Sequence, residues 1–280
     1  MATPKTIFHT RSISLPSRPT TLDVSVENCF RRLRVSQAGP SSSSSVCQNL
    51  CSIKDLYRQM NKMVHLPQNK KILSDDLNRG EVEEVLEGSL VLLDISSSTI
   101  DALCQTKESV LNLESALRRG SISEAIDAYM MSRKKINKTL SKCLVSLKKA
   151  EKCYAKTESR NNNAGLRMLK EAESASFATL KSMISYVIGK KVMSPAHGWS
   201  LVAKLVKSKH INREREFASE VEDLDRVLCA LSNKTFSSDT KILLTQLEVL
   251  EMVISELQNQ MDSVSRCFIK TRVSLLNILN

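Results

Sequence analysis

The sequence predicts an all-α protein: an elongated antiparallel helical bundle with a disordered N-terminal tail and a long C-terminal heptad helix. Aromatic residues make up only 4% of the 280 residues, and the chain holds 7 Gly and 6 Pro. A β-sandwich or barrel needs more strand-forming aromatic residues and more turns than this. From residue 50 onward, apolar residues instead recur at steps of three and four, which is the spacing of one helix face.

Residues 1–46 are predicted to form a disordered basic tail, and residues 47–280 the helical bundle. The tail contains prolines and a serine run from Ser41 to Ser45, and its apolar periodicity is weak. The bundle then begins with a predicted helix that ends before Pro67. That helix has its apolar face at Leu50, Ile53, Tyr57, Met60 and Val64.

The clearest local signal is the junction between the second and third helices of the bundle. The second is predicted from about Gly80 to Leu117, and Gly120 after it suits the left-handed conformation that ends a helix. Ser121 and Glu124 match a capping box for the helix that follows. We therefore expect a tight turn between two antiparallel neighbours.

The third helix, predicted over about residues 122–155, has an apolar side and a basic side. At 100° per residue the apolar side gathers Ile122, Ile126, Tyr129, Ile136, Leu140, Cys143, Leu144 and Leu147. The opposite side gathers Lys134, Lys138, Lys142, Lys149, Lys152 and Lys156. A core-packed helix with a lysine stripe is predicted.

After the third helix, the sequence predicts a polar loop at residues 161–165 and then further helices. These are predicted over about 166–192, from the Ser194–Pro195 start to about Val206, and over about 214–231. The last helix carries a heptad seam with polar Thr271 as its one gap. The seam consists of Leu243, Leu247, Leu250, Ile254, Leu257, Met261, Val264, Phe268, Leu275 and Ile278. A bundle and an intermolecular coiled coil both use such a seam; we favour the bundle, because the other helices also need apolar partners, and leave the oligomeric state open.

The formal charge of +11 indicates an acidic partner or simply a solvated basic surface. The sequence contains no run of about 18 apolar residues, so a membrane-spanning helix is not expected. No apolar signal-peptide core precedes Arg11, so secretion is not expected either. A cytoplasmic location follows, with the possibility of peripheral membrane contact. The 8 cysteines are then expected to be reduced, and their spacing does not match a zinc site.

A short motif in the tail suggests a phosphorylation-dependent partner. Arg11, Ser12, Ser14 and Pro16 fit the ligand of 14-3-3 proteins if Ser14 is phosphorylated. An arginine cluster of the partner would bind the phosphate, and the proline would direct the peptide out of the groove. The alternative is a solvated basic tail whose serines have no such role.

The lysine stripe is a second candidate surface, for anionic lipid headgroups or an acidic protein. Its alternative is a solvated helix face, because the apolar side of the same helix is used by the core. Nucleic-acid binding is not expected, since zinc-finger spacing is absent and aromatic residues for base stacking are few.

The sequence shows no pattern typical of an enzyme, a cofactor site or a metal site. The four histidines are scattered, and only His197 beside Trp199 is suggestive; an ordinary turn between helices explains that pair equally well. Phosphate-binding loops, dinucleotide fingerprints and nucleophile elbows are not found.

Five segments together resemble the plant BYPASS-like family. They are Phe8–Pro19, Gly88–Asp94, Ser115–Arg119, Tyr129–Lys135 and Ile269–Leu279. The resemblance implies an all-helical plant protein linked to root and shoot development, without an established activity, and it implies no catalytic residues. We therefore expect a non-catalytic interaction or regulatory protein that acts through protein partners. The alternative is a peripheral membrane adaptor in trafficking or signalling that uses the basic helix face.

Overall fold

A computed structural model describes residues 21–37, 42–156, 163–189, 220–231 and 240–280. All regular elements in these ranges are helices, which confirms the all-α prediction. The α-helices are α1 (Thr21–Gln37), α2 (Ser43–Val64), α3 (Pro67–Leu73), α4 (Arg79–Arg119), α5 (Ile122–Lys156), α6 (Ala164–Ile188), α7 (Glu220–Leu231) and α8 (Thr240–Leu279). A short 3-10 helix at Asp76–Asn78 precedes α4.

Helix α1 corrects the prediction of a disordered 1–46 tail for residues 21–37, while residues 1–20 lie outside the described part of the chain. Val26, Cys29, Phe30 and Leu33 are all buried, and α1 packs on α2 and α6. Their spacing of three, one and three residues is that of one helix face. The signal was present in the sequence but was hidden among the polar and basic residues of the segment.

The serine run also has a structural role that the sequence analysis missed. Ser42 is the N-cap of α2: its side chain accepts a hydrogen bond from the Ser45 amide at 3.2 Å. The Ser45 side chain in turn accepts one from the Ser42 amide at 2.9 Å. Serine is unfavourable in the interior of a helix, but its hydroxyl accepts a hydrogen bond from one of the free amide groups at a helix start. The bundle thus begins at or before residue 43.

The two longest helices, α4 and α8, run antiparallel along each other. Arg272 Nη1 lies 2.8 Å from Ser89 Oγ, and Gln258 Nε2 lies 3.3 Å from Cys104 Sγ. With 41 and 40 residues, each helix extends about 60 Å. The predicted elongated bundle is built on this pair.

Helix α2 packs parallel to α8 on the other side of the heptad seam. Cys51 contacts Gln260, and Ser274 donates a hydrogen bond to Asn61 at 2.8 Å. Nine of the ten predicted seam residues are buried within the chain, and Ile278 is partly buried. This confirms the bundle interpretation of the seam. Thr271, the predicted gap, is buried as well.

The core lies where α2, α4, α6 and α8 meet. Tyr57 and Phe268 pack edge to face there, with ring centroids 4.6 Å apart, and Phe177 is fully buried. Offset and edge-to-face ring pairs add about 1 kcal/mol beyond the area that they bury. One contiguous apolar cluster connects all the α-helices named above.

Glycines end two of the long helices. Gly120 has φ 83° and its amide bonds to the carbonyls of Ala116 and Leu117, as predicted for the α4–α5 turn. Gly189 has φ 80° and ends α6 at Ile188, four residues before the predicted end. The predicted start at Ser194 and Pro195, and the pair His197 and Trp199, lie outside the described residues.

Candidate interaction surfaces

Helix α5 presents a lysine face to solvent along its length. Lys134, Lys138, Lys142, Lys149 and Lys152 are exposed, as the sequence pattern predicts. Lys156 is the last residue of the helix, and its side chain lies outside the described part. The opposite side is buried at Ile126, Tyr129, Ile136, Leu140 and Leu147. The helix is therefore held by its apolar side while its ammonium groups remain in water.

Two apolar side chains interrupt the lysine face. Met131 is 63% exposed and Val145 is 67% exposed. They fall in step with Lys134, Lys138 and Lys142 at spacings of three and four residues, so all five share one face. These two residues were not predicted to lie on the lysine face, which is therefore more amphipathic than the lysine spacing alone indicates.

An open cleft of about 670 Å³ runs between the start of α4 and the end of α5. Its floor includes the half-buried Val91 and Ala150, and Gly80, Gly88 and Cys153 also line it. Its α4 rim is acidic, with Glu83, Glu84 and Glu87, and its α5 rim carries Lys149 from the lysine face. The cleft therefore has an apolar floor between rims of opposite charge. The sequence does not predict this cleft, because the spacing of apolar residues on single helices does not show where two packed helices separate.

Ion pairs fix part of the acidic rim. Glu83 accepts a hydrogen bond from Arg79 at 3.1 Å, and Glu84 lies 3.0 Å from Lys170 of α6. Lys170 also pairs with Glu81 at 3.1 Å. These contacts hold the start of α4 on α6 and orient the carboxylates along one edge of the cleft.

A buried arginine connects α5, α6 and α7. Arg133 is 3% exposed, and its Nε donates to Asp225 Oδ2 of α7 at 3.0 Å. Its remaining nitrogens donate to Asn137 Oδ1 at 2.9 Å and to the Val187 carbonyl at 2.7 Å. The Tyr129 hydroxyl donates a hydrogen bond to the other Asp225 oxygen at 3.2 Å. Burial raises the pKa of Tyr129, and the negative charge of Asp225 raises it further. A buried charge needs such a full set of partners.

A second polar contact holds the start of α7. Glu220 accepts a hydrogen bond from Ser43 of α2 at 2.6 Å and another from Tyr186 of α6. Burial is the main cause that raises the pKa of Tyr186, and the hydrogen bond to Glu220 adds to it. Carboxylates thus fix helix α7 at its start, through Glu220, and near its middle, through Asp225. Val221, Leu224 and Leu228 of the same helix are buried.

The structure brings two of the resembling segments together at Arg272. This residue belongs to Ile269–Leu279, and its guanidinium donates to the carbonyl of Leu86 and to Ser89 of the Gly88–Asp94 segment. A third segment, Tyr129–Lys135, supplies Tyr129 and Arg133 of the buried cluster. Three of the five resembling segments therefore contain residues that join helices.

Arg11, Ser12, Ser14 and Pro16 lie outside the described residues, so the proposed 14-3-3 motif stays a prediction. Among the described residues, no group of three or more His, Cys, Asp or Glu side chains is arranged to hold a metal ion. None of the described helices combines the length and the apolar content needed to cross a membrane.

The fold and its surfaces define a large all-α bundle protein with an amphipathic cleft and a basic face. The family model described as Protein BPS1, of the BYPASS1 family, matches residues 49–278, and the chain belongs to this family. The family is one of plant developmental proteins of unknown biochemical role. Searches of curated proteins and of solved structures found no match.

Proposed function

We propose that this protein acts in plant root and shoot development as a non-catalytic interaction protein. Its α4–α5 cleft binds an amphipathic helix of a protein partner. The observation that carries the proposal is the open cleft of about 670 Å³ with Val91 and Ala150 in its floor. Helices bind such grooves through apolar residues at steps of three and four, which remove the groove floor from water.

The charges of the two rims specify the partner further. The α4 rim keeps a net negative charge, because Glu81, Glu83, Glu84 and Glu87 outnumber Arg79 and Lys170, and it therefore attracts a basic flank. Lys149 attracts an acidic flank on the α5 side. Complementary rim charges raise the association rate and fix the direction of binding more than they add affinity. The expected ligand is a helix with an apolar stripe, Lys or Arg along one edge and Asp or Glu along the other.

Site-specific photo-cross-linking in plant tissue tests this proposal. A photoreactive amino acid at position 91 is expected to cross-link one or a few proteins. Filling the cleft with Ala150→Trp should abolish those cross-links. Thr139→Trp is the matched control, because Thr139 is exposed on α5 and does not line the cleft. Cross-links that persist in Ala150→Trp, or no cross-linked protein at position 91, would overturn the proposal.

A second candidate function is peripheral membrane contact through the lysine face. The observation that favours it is the exposure of Met131 and Val145 among Lys134, Lys138 and Lys142. Each lysine near an anionic surface contributes about 1 kcal/mol, and the two apolar side chains would enter the headgroup region.

Co-sedimentation with phosphatidylcholine vesicles, with and without phosphatidylserine, tests this candidate. Binding should require phosphatidylserine and should be lost when Lys134, Lys138 and Lys142 are changed to Glu. The same change at exposed Lys62, Lys70 and Lys71 of α2 and α3 alters the net charge equally but leaves the face intact. Equal loss in both triple variants would show an effect of net charge alone and would reject the face.

A further inference from the structure

The outer side of the α4–α8 pair carries an apolar patch. Leu90 of α4 is 39% exposed, and Ile269, Val273 and Leu276 of α8 are 49%, 47% and 37% exposed. Arg272 lies between these α8 residues and touches α4 at Leu86, four residues before Leu90. Residues three and four apart share a helix face, so the four side chains form one patch across the seam between the helices.

Unpaired charges of opposite sign lie on the two sides of this patch. On α4, Glu87 and Asp94 are three and four residues from Leu90 and are exposed. On α8, Arg266 and Lys270 are seven and three residues before Val273 and are also exposed. Within the described part of the chain, these four side chains form no ion pair. The surface is therefore acidic on its α4 side, apolar in the middle and basic on its α8 side.

One acidic and one basic residue of this surface, Asp94 and Arg266, lie at the same height along the two helices. Ser89 is level with Arg272, and Cys104 is level with Gln258. Asp94, five residues after Ser89, is therefore level with Arg266, six residues before Arg272. The antiparallel packing of α4 and α8 thus places Asp94 and Arg266 on opposite sides of the patch at one height.

We propose that this surface is the interface of a homodimer with a two-fold axis that runs along the helices. Such an axis places α4 of one copy over α8 of the other, so each residue pair occurs twice. Leu90 then faces the apolar α8 residues of the second copy, and Asp94 meets Arg266 of that copy at both edges. An axis across the helices would instead place acidic side on acidic side.

A second copy fits this surface better than an unrelated partner, because the surface is complementary to itself. The apolar centre consists of four side chains, which is small for a permanent dimer, so a transient dimer with a micromolar dissociation constant is expected. The charged edges fix the relative direction of the two copies. The floor of the cleft stays open in this dimer, because Val91 lies on the side of α4 that faces α5, whereas Leu90 lies on the side that faces α8; Glu87 borders both surfaces.

Sedimentation velocity of the full chain from about 1 to about 300 µM tests the proposal. The wild type is expected to pass from monomer to dimer in this range. Val273→Asp should raise the dissociation constant at least tenfold. Met252→Asp is the matched control: Met252 is 73% exposed on the same helix but lies outside the patch, so the dimer should persist. Both variants should keep the wild-type helix content, because both side chains are at the surface.

A charge exchange tests the direction of the two copies at low ionic strength. Asp94→Lys and Arg266→Glu should each raise the dissociation constant about fivefold, and the double variant should return it to within about twofold of wild type. A chain that stays monomeric at 300 µM would overturn the proposal. So would a dimer that is insensitive to Val273→Asp, or single charge variants that the double variant does not rescue.

Discussion

At the scale of single residues, the buried cluster around Arg133 shows what the pattern of apolar residues leaves out. Arg133 is four residues after Tyr129 and three before Ile136, so it lies on the buried side of α5. An arginine at such a position requires a carboxylate from another helix, which here is Asp225 at 3.0 Å. The spacing alone indicates that Arg133 is buried; the identity of its partner, 92 residues away, depends on the tertiary fold.

We predict that Arg133→Ala lowers the free energy of unfolding by about 3 kcal/mol, because it leaves Asp225 without its buried partner. Urea denaturation monitored by circular dichroism measures the change. Arg226→Ala on α7 is the control: Arg226 pairs with Glu222 and Asp223 at the surface and should change the stability by less than about 0.5 kcal/mol. Equal effects of the two substitutions would show that the Arg133 pair is not stabilising.

At the scale of helices, sequence spacing predicted α4, α5 and α8 to within a few residues. Their apolar stripes are long, and Gly120 marks one boundary directly. Helix α1 was missed because Pro, Ser and Arg residues around it are typical of disordered chains, and only four apolar residues form its buried side. The α4–α5 cleft could not be predicted, because it depends on the angle at which two helices separate.

The α4–α5 turn gives a prediction about glycine. Gly120→Ala should lower the free energy of unfolding by about 1 kcal/mol, because φ of 83° is strained for a residue with a Cβ atom. Gly80→Ala in the first turn of α4 should have the opposite sign, about 0.5 kcal/mol of stabilisation, since space around it is open. Thermal denaturation of both variants measures the two signs; destabilisation by Gly80→Ala would contradict this account.

The gap in the α8 seam gives a second prediction at this scale. The Thr271 hydroxyl is buried and has no hydrogen-bond partner among the described residues. Thr271→Val keeps the shape and removes the unpaired group, so the free energy of unfolding should rise by about 1 kcal/mol. Ser274→Ala should lower it by a similar amount, because the Ser274 hydroxyl bonds to Asn61. Chemical denaturation distinguishes the two, and a loss of stability in Thr271→Val would refute the interpretation.

At the scale of the whole molecule, the five segments of the family resemblance include points where distant helices meet. The Gly88–Asp94 and Ile269–Leu279 segments touch at Arg272, and Ser115–Arg119 leads into the Gly120 turn. The match of the BPS1 family model begins at residue 49, yet the bundle also includes α1. The family resemblance implied an all-helical fold, but only the packing of α1 on α2 and α6 shows that the bundle extends to residues before the family match.

A substitution in α1 tests this larger bundle. Phe30→Ala should lower the free energy of unfolding by about 3 kcal/mol, because Phe30 is 2% exposed in the core shared with α2. Val35→Ala on the same helix should have almost no effect, since Val35 is 72% exposed. Equal unfolding curves for wild type and Phe30→Ala would mean that α1 is not part of the cooperative unit.

The parallel packing of α2 on α8 has a consequence for how the chain acquires its structure. Cys51 and Gln260 touch across 209 positions of sequence, and α8 is the last of the described helices to leave the ribosome. Until then, the sides of α2 and α4 that α8 covers remain open to water. Closing so large a loop is slow compared with forming the local α4–α5 hairpin. We therefore expect newly synthesised chains to pass through a state in which the apolar groove between α2 and α4 is exposed, and chaperones to bind this groove until α8 packs into it.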